Sequence, residues 1–222
     1  MLKKIVATIL IIIGIILILT PFLTEQIIKY YNKNISIDEI SMENIEANDK
    51  LEGEFDFSSV EDVDIRSIIN GTMNFDKNLV VGVLIIPDLN INLPILKGLN
   101  DSNLMVGAAT MKPEQSMGEG NYTLAGHHMK NKELLFGSLM DIQVGSKVII
   151  SDKKNIYEYK IYDTVVVPDT AMDMIEDEKA EKKGKPIISL MTCYHSSRTG
   201  KRFFALGELV NKYPFEDNNA IN

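Results

Sequence analysis

The spacing of apolar and polar positions divides the chain into three unlike parts. Residues 5–23, IVATILIIIGIILILTPFL, carry no charged side chain. Nineteen residues of α-helix at about 1.5 Å each reach roughly 28 Å, close to the hydrocarbon thickness of a bilayer. The run is longer than a signal-peptide core, has no A-x-A-like end, and finishes in Pro21, Phe22 and Leu23, which points to an uncleaved anchor. Lys3 and Lys4 precede it, so the positive-inside rule keeps them in the cytoplasm and places everything after about residue 24 outside. No second apolar run of that length follows, and a single membrane crossing is expected.

Residues 24–60 are polar and acid-rich, with Asp38, Glu39, Glu43, Glu46, Asp49, Glu52, Glu54 and Asp56 spread through them. This composition reads as a solvated stalk. The stretch SSVEDVDIRSII, 58–69, predicts the start of a helix capped by Ser58 or Ser59, with Val60, Val63 and Ile65 on its apolar face. From residue 79 the texture changes to short runs rich in Val, Ile, Tyr, Phe and Thr, bounded by Gly, Pro, Asn or Asp: 79–87, 91–96, 122–126, 147–151, 156–167, 186–193 and 202–210. Each predicts a strand. Helical pieces are predicted near 101–106 and 132–141. Some seven short strands in about 130 residues suggest a closed or nearly closed β-barrel or a sandwich.

Charge and composition exclude several classes. The formal net charge is -8, from 23 Lys+Arg against 31 Asp+Glu, which disfavours a nucleic-acid binder. Apolar residues make up 45 % and charged residues 24 %, as in an ordinary globular chain rather than a disordered one. Cys193 is the only cysteine, so no intramolecular disulfide can form. There is no C-x-x-C or H-E-x-x-H pattern and no Gly-rich phosphate loop, and no metal-ligand set is expected.

The remaining chemistry concentrates at LMTCYHSSRTGKRFF, residues 190–204. A thiol becomes a nucleophile as the thiolate, and a neighbouring imidazolium lowers its pKa. A guanidinium or backbone N–H groups can bind a developing oxyanion. The chain has three histidines, His127, His128 and His195, and three cations, Arg198, Lys201 and Arg202, close behind Cys193. A hairpin joining a strand that ends at Cys193 to one that starts near Arg202 would set thiol and guanidinium side by side. On spacing alone, an inert buried cysteine explains the same residues.

Three segments together carry more. TLAGHH at 123–128, SLMTC at 189–193 and RFFALGEL at 202–209 resemble the fingerprints of the sortase family: an A-G-H segment, a T-L-x-T-C segment and an arginine opening the next strand. Ser189 replaces the first threonine of the second fingerprint and keeps a hydroxyl. Residues 86–129 also resemble class A (housekeeping) sortases, and the likeness runs from about 79 to 211. It implies an all-β-dominated fold, a sortase-like eight-stranded β-barrel with short helices preceded by one N-terminal transmembrane helix. The expected domains are 1–24 cytoplasmic tip and anchor, 25–60 extracellular acidic stalk, 61–215 catalytic barrel and 216–222 C-terminal tail.

The resemblance also implies roles. Cys193 matches the nucleophile, His127 the histidine that follows Ala-Gly, and Arg202 the arginine that opens the strand. His128 reads as a rim residue, Arg198 as a mid-loop residue, and His195 as either an incidental loop residue or a modulator of the thiol or substrate contact. Ala125, Val166, Pro168 and Thr192 are the expected substrate-binding positions. The implied reaction cleaves LPxTG-type sorting signals of surface proteins between Thr and Gly through a thioester, then transfers the acyl group to an amine of a lipid-linked peptidoglycan precursor at the cell membrane. No cofactor is expected. Calcium stimulation through Asp173, Glu176, Asp177, Glu178 and Glu181 is the alternative to reading those carboxylates as solvated surface. A membrane-tethered cysteine peptidase, a pilus-assembling sortase and a catalytically dead binder are the rival readings.

Overall fold

The computed structural model describes residues 2–34, 41–55, 76–195 and 197–216; the helix predicted at 58–69 lies outside them. Eight strands close into a barrel: β1 (Val80–Ile86), β2 (Ile91–Leu96), β3 (Ala108–Thr110), β4 (Asn121–Ala125), β5 (Lys147–Ser151), β6 (Asn155–Pro168), β7 (Ile187–Cys193) and β8 (Lys201–Pro214). Around the barrel the order is β1-β2-β3-β4-β7-β8-β6-β5. The pairs β2–β3 and β4–β7 are parallel and the others antiparallel. Closure leaves no unpaired sheet edge among the described strands to recruit another chain.

Strand alternation sorts the side chains into two apolar bodies. Leu84, Ile86, Leu93, Ile95, Leu124, Ile150, Tyr159, Ile188, Leu190 and Ala205 belong to the cluster that fills the barrel. Ala125, Phe204 and Leu206, from the opposite faces of β4 and β8, form a second cluster with Leu99, Leu104, Met111, Met174 and Ile175. Strands β4 and β7 are therefore covered on both faces, which is why YTLA and IISLM read as continuous apolar runs.

Seven strands follow the sequence pattern within a residue or a few. The eighth, β3, is three small residues, AAT, with no periodicity of its own. The helix predicted at 101–106 is α3 (Asp101–Val106), capped by Asn100, whose side chain accepts from Asn103 N at 2.9 Å. The helix expected at 132–141 is absent, and the segment is a series of turns ending in the 3₁₀ turn Leu139–Asp141. Leu135 adopts φ 46°, and a Cβ on Gly137 would lie 2.5 Å from the Asn131 carbonyl oxygen, so the chain folds back where a helix would run on.

The N-terminal parts depart most from expectation. Helix α1 (Leu2–Asn34) spans 33 residues and continues well past the apolar run. It is long and apolar enough to cross a membrane, and residues such as Leu17 and Ile18 project outward, 66 % and 78 % exposed. Beyond Leu23 the same helix joins the protein core, with Ile28 0 % exposed. Residues 42–55, expected within a solvated stalk, pack on the barrel. Helix α2 (Met42–Asn48) buries Ile45, and Asn48 Nδ2 donates to Val80 O at 2.9 Å. Phe55 then bridges Leu99 in parallel, against Gly98, whose φ of 96° and 2.7 Å Cβ approach to Glu54 O admit no side chain. A single buried isoleucine among acids leaves no periodic signal, which is how docking escaped the sequence pattern.

If this docking is part of the folded unit, Ile45→Ala destabilises the full chain in detergent by about 2–5 kcal/mol, the usual cost of truncating a buried isoleucine. Urea unfolding followed by near-ultraviolet circular dichroism checks it. An unchanged midpoint would mean that α2 does not pack on the barrel in solution.

Candidate active site

The site follows from the register of two parallel strands. Ala125 of β4 stands opposite Met191 of β7, so two residues further on His127 and Cys193 leave the same end of the sheet on the same face. Gly126 N donates to Met191 O at 3.0 Å, and the buried Thr192 hydroxyl donates to Gly126 O at 2.8 Å. These two bonds hold the segment carrying His127 against β7. A Cβ on Gly126 would meet the Phe136 ring at 2.5 Å, so the close passage needs glycine. The chain then turns, and Phe136 N donates back to His127 O at 3.1 Å.

Arg202 is placed by the next pairing. Strands β7 and β8 are antiparallel with Cys193 directly opposite Arg202, and directly opposed residues present their side chains to the same face. The turn between them is closed by Tyr194 N donating to Lys201 O at 3.1 Å and the Thr199 hydroxyl donating to Tyr194 O at 2.9 Å. Gly200 has φ 63° and its carbonyl accepts from Asp169 N at 3.0 Å. That bond brings the following loop over the site, where Asp169 Oδ2 lies 3.9 Å from Arg202 Nη2.

His127, Cys193 and Arg202 thus line one concavity of about 320 Å³, which also includes Ala125, Gly126, Pro168, Met191 and Phe204. Its apolar wall comes from the second cluster, through Leu99, Leu104, Met111 and Ile175. The sequence had singled out none of those four. They lie just before and on α3, beside β3 and in the 168–185 loop, and only barrel closure brings them together. Two sequence-selected residues sit elsewhere. Thr192 is fully buried and serves the Gly126 bond rather than the cavity surface. Val166 lines a different groove: its neighbours Val165 and Val167 pack on the second cluster, and alternation turns Val166 to the other face of β6.

That other groove, of about 460 Å³, lies across the end of β7 and is lined by His128, Lys130, Lys132, Asp141, Tyr194 and His195 among others. The rings of His128 and His195 are 6.2 Å apart, edge to face, and His195 holds φ 63°. His128 Nδ1 is buried and has no hydrogen-bond partner among the described residues. Burial and then the charge of His195 lower the His128 pKa, against the opposing pull of Asp141.

Of the acids in the 168–185 loop, Asp177 has a structural task. Its Oδ1 accepts from Asn121 N at 2.8 Å and from Lys112 Nζ at 2.7 Å, while Asn121 Nδ2 donates to Met174 O and Glu176 O. Burial pushes the Asp177 carboxyl up, but these bonds outweigh it and hold its pKa below the ordinary value. Together they tie the loop to the start of β4. Among the described residues no group of three or more His, Cys, Asp or Glu is placed to hold a metal ion.

Comparison with known proteins places this arrangement in context. A family model described as "Sortase domain" matches residues 84–210. Sortase A of Listeria monocytogenes is 40 % identical over 209 residues, covering 94 % of this chain and 92 % of that protein. Sortase A of Bacillus anthracis is 35 % identical over 210 residues, covering 93 % and 94 %. The solved structure of the Listeria monocytogenes sortase A superposes with a TM-score of 0.58 at 37 % identity, over 63 % of this chain and 93 % of that one. Sortase C-3 of Streptococcus pneumoniae, at 20 % identity, shares the fold with a TM-score of 0.59 over 88 % and 95 %.

Two outcomes are expected from this geometry. Thr192→Val keeps the side-chain shape but leaves Gly126 O without its buried donor, and should cost about 1–3 kcal/mol in thermal unfolding. A change within error would show that the hydroxyl does not hold the His127 segment. In an NMR titration His128 should stay neutral below the usual imidazole range, and His195→Asn should move its midpoint upward. Because its folded pKa lies below the unfolded one, its contribution to stability is fully present above the unfolded value of about 6.5 and is lost as pH falls from there through the lower folded value.

Proposed function

Because the chain belongs to the sortase family of cysteine transpeptidases, we propose that Cys193, His127 and Arg202 are its reacting groups and that it anchors surface proteins to the cell wall. The observation that carries this is the convergence of all three side chains on one cavity with an apolar wall. The substrate is the LPxTG-type sorting signal of a surface protein. Its leucine and proline suit the wall formed by Leu104, Met111 and Ile175, and Ala125 and Pro168 border the same space.

The Cys193 thiolate attacks the carbonyl carbon of the threonine in the signal. Arg202 donates to the oxygen as it takes up charge, in a partly desolvated site where such bonds count for most. The C–N bond to glycine then breaks, and His127 as imidazolium gives its proton to the leaving nitrogen. The products of this half-reaction are a thioester on Cys193 and a peptide with a free amino end. In the second half an amine of a peptidoglycan precursor attacks the thioester carbonyl, neutral His127 takes the proton it sheds, and the thiolate departs. Side chains supply every proton and charge, so no cofactor is required and calcium has no assigned role. The outward apolar surface of α1 supports a single-pass membrane anchor, with the barrel outside the cell.

The test uses the full chain in detergent, an LPETG-type peptide and triglycine, read by mass spectrometry. A thioester mass on the protein and an amine-dependent ligation product are expected, and both should vanish in Cys193→Ala. Arg202→Lys keeps the charge but loses the planar fork, and should slow the reaction by roughly 10²-fold or more. Equal cleavage with and without amine would replace transfer by hydrolysis. No cleavage across a panel of sorting motifs would sink the assignment of an active enzyme.

A further inference from the structure

The apolar wall of the cavity is held from behind by a stretch of chain far from it in sequence. Leu99 lines the cavity beside Leu104 and Met111, and all three belong to the second apolar cluster. It stands in the turn 97–99, which leads from β2 into α3. On the barrel side this turn is fixed by buried polar groups. Asn103, 1 % exposed, donates through Nδ2 to Lys97 O at 3.0 Å and to Gly98 O at 2.9 Å. Gly98 N donates to Thr110 Oγ1 at 2.8 Å.

On its outer side the same turn meets residues 49–55. Lys97 Nζ donates to the Asp49 carbonyl and lies 3.5 Å from the Asp49 carboxylate. A Cβ on Gly53 would stand 3.0 Å from Gly98 N and 3.1 Å from Cε2 of Phe55. The two backbones therefore pass with no side chain between them, and the half-buried Phe55 ring lies close over Gly53. Phe55 then pairs with Leu99 itself. Leu99 thus has the cavity on one side and the docked segment bonded to its backbone on the other. Close-packed groups pass displacements on to their neighbours, so where Phe55 sits decides where Leu99 sits.

We propose that Phe55 is a positioning residue which, through Leu99, fits the apolar wall to the leucine that opens the sorting signal. The proposal rests on the transfer reading above and adds how leucine is told apart from a smaller side chain. A pocket discriminates by one methylene only when its wall does not yield to fill the gap. Asn103 and Thr110 hold the turn from within, and Phe55, Gly53 and Asp49 close it from outside. Loss of the outer support leaves the cavity intact but lets Leu99 move, so that leucine and valine fit it equally loosely.

The full chain in detergent is given triglycine and two peptides, LPETG and VPETG, that differ by one methylene at the first residue. Wild type should favour leucine about tenfold or more in kcat/KM, the usual worth of a methylene in a fitted apolar pocket. Phe55→Ala should bring that ratio below about threefold, through loss with the leucine peptide, and Phe55→Leu should restore most of it. Lys97→Met, which keeps the buried stem and removes the tie to Asp49, should shift the ratio the same way by a smaller factor. Thermal melts confirm that each variant remains folded. Equal slowing with both peptides would overturn the proposal by making Phe55 a support for the fold alone, and unchanged rates would overturn it by making the docked segment idle. A wild type that ligates both peptides equally well would overturn it too, because no fitted wall would exist. Wild-type protein that ligates neither peptide would instead sink the transfer reading, and this proposal with it.

Discussion

The parallel pairing of β4 with β7 is the constraint on which the site depends. Its register sets Ala125 against Met191 and so delivers His127 and Cys193 to one end and one face. A one-residue slip would turn either side chain into the barrel, because alternation has a period of two. Two hydrogen bonds, from Gly126 N and from the Thr192 hydroxyl, lie where the pairing ends and the histidine segment begins. The Gly126–Phe136 contact closes the same junction from the other side. Of the three candidate groups, Cys193 and Arg202 are thus borne on strands and His127 stands two residues past the end of one, which suits a chemistry sensitive to displacements of an ångström.

A second consequence of this geometry is that the barrel end divides two concavities. Residues of one parity, His127, Cys193, Arg202 and Ala125, face the apolar body outside the barrel, under the 168–185 loop. Residues of the other parity or beyond the strand end, including Val166, Phe203 and His128, face the groove across it. Under the proposed reaction, a thioester at Cys193 would stand on the apolar-walled side of this division. The same division explains why Val166, adjacent in sequence to residues of the apolar body, does not belong to it.

Local pattern made most of the strands legible. Seven runs of β-branched and aromatic residues mark seven strands, and the fingerprints around His127, Cys193 and Arg202 mark the three side chains that the structure gathers into one cavity. What stayed hidden depends on long-range contact. Strand β3 is three small residues that become a strand only because β2 and β4 flank them. Leu99, Leu104 and Met111 become a cavity wall only once the barrel closes. Ile28 and Ile45 were masked by their surroundings, one at the end of a membrane run and one in an acidic segment. In both cases composition described the neighbourhood and missed the contact.

The pairing that creates the site also joins parts of the chain that are distant in sequence: Gly126 and Thr192 are 66 residues apart. Loops of that size close late, because their entropy must be overcome before any contact rewards them. Until β4 and β7 meet, Cys193 lacks His127, and a thiol without an activating partner is mostly protonated at neutral pH. Reactivity is thereby tied to the completed fold. A chain in which β4 and β7 have not met would carry the proposed nucleophile without the neighbours assigned to activate it, and so could not take up the proposed acyl group.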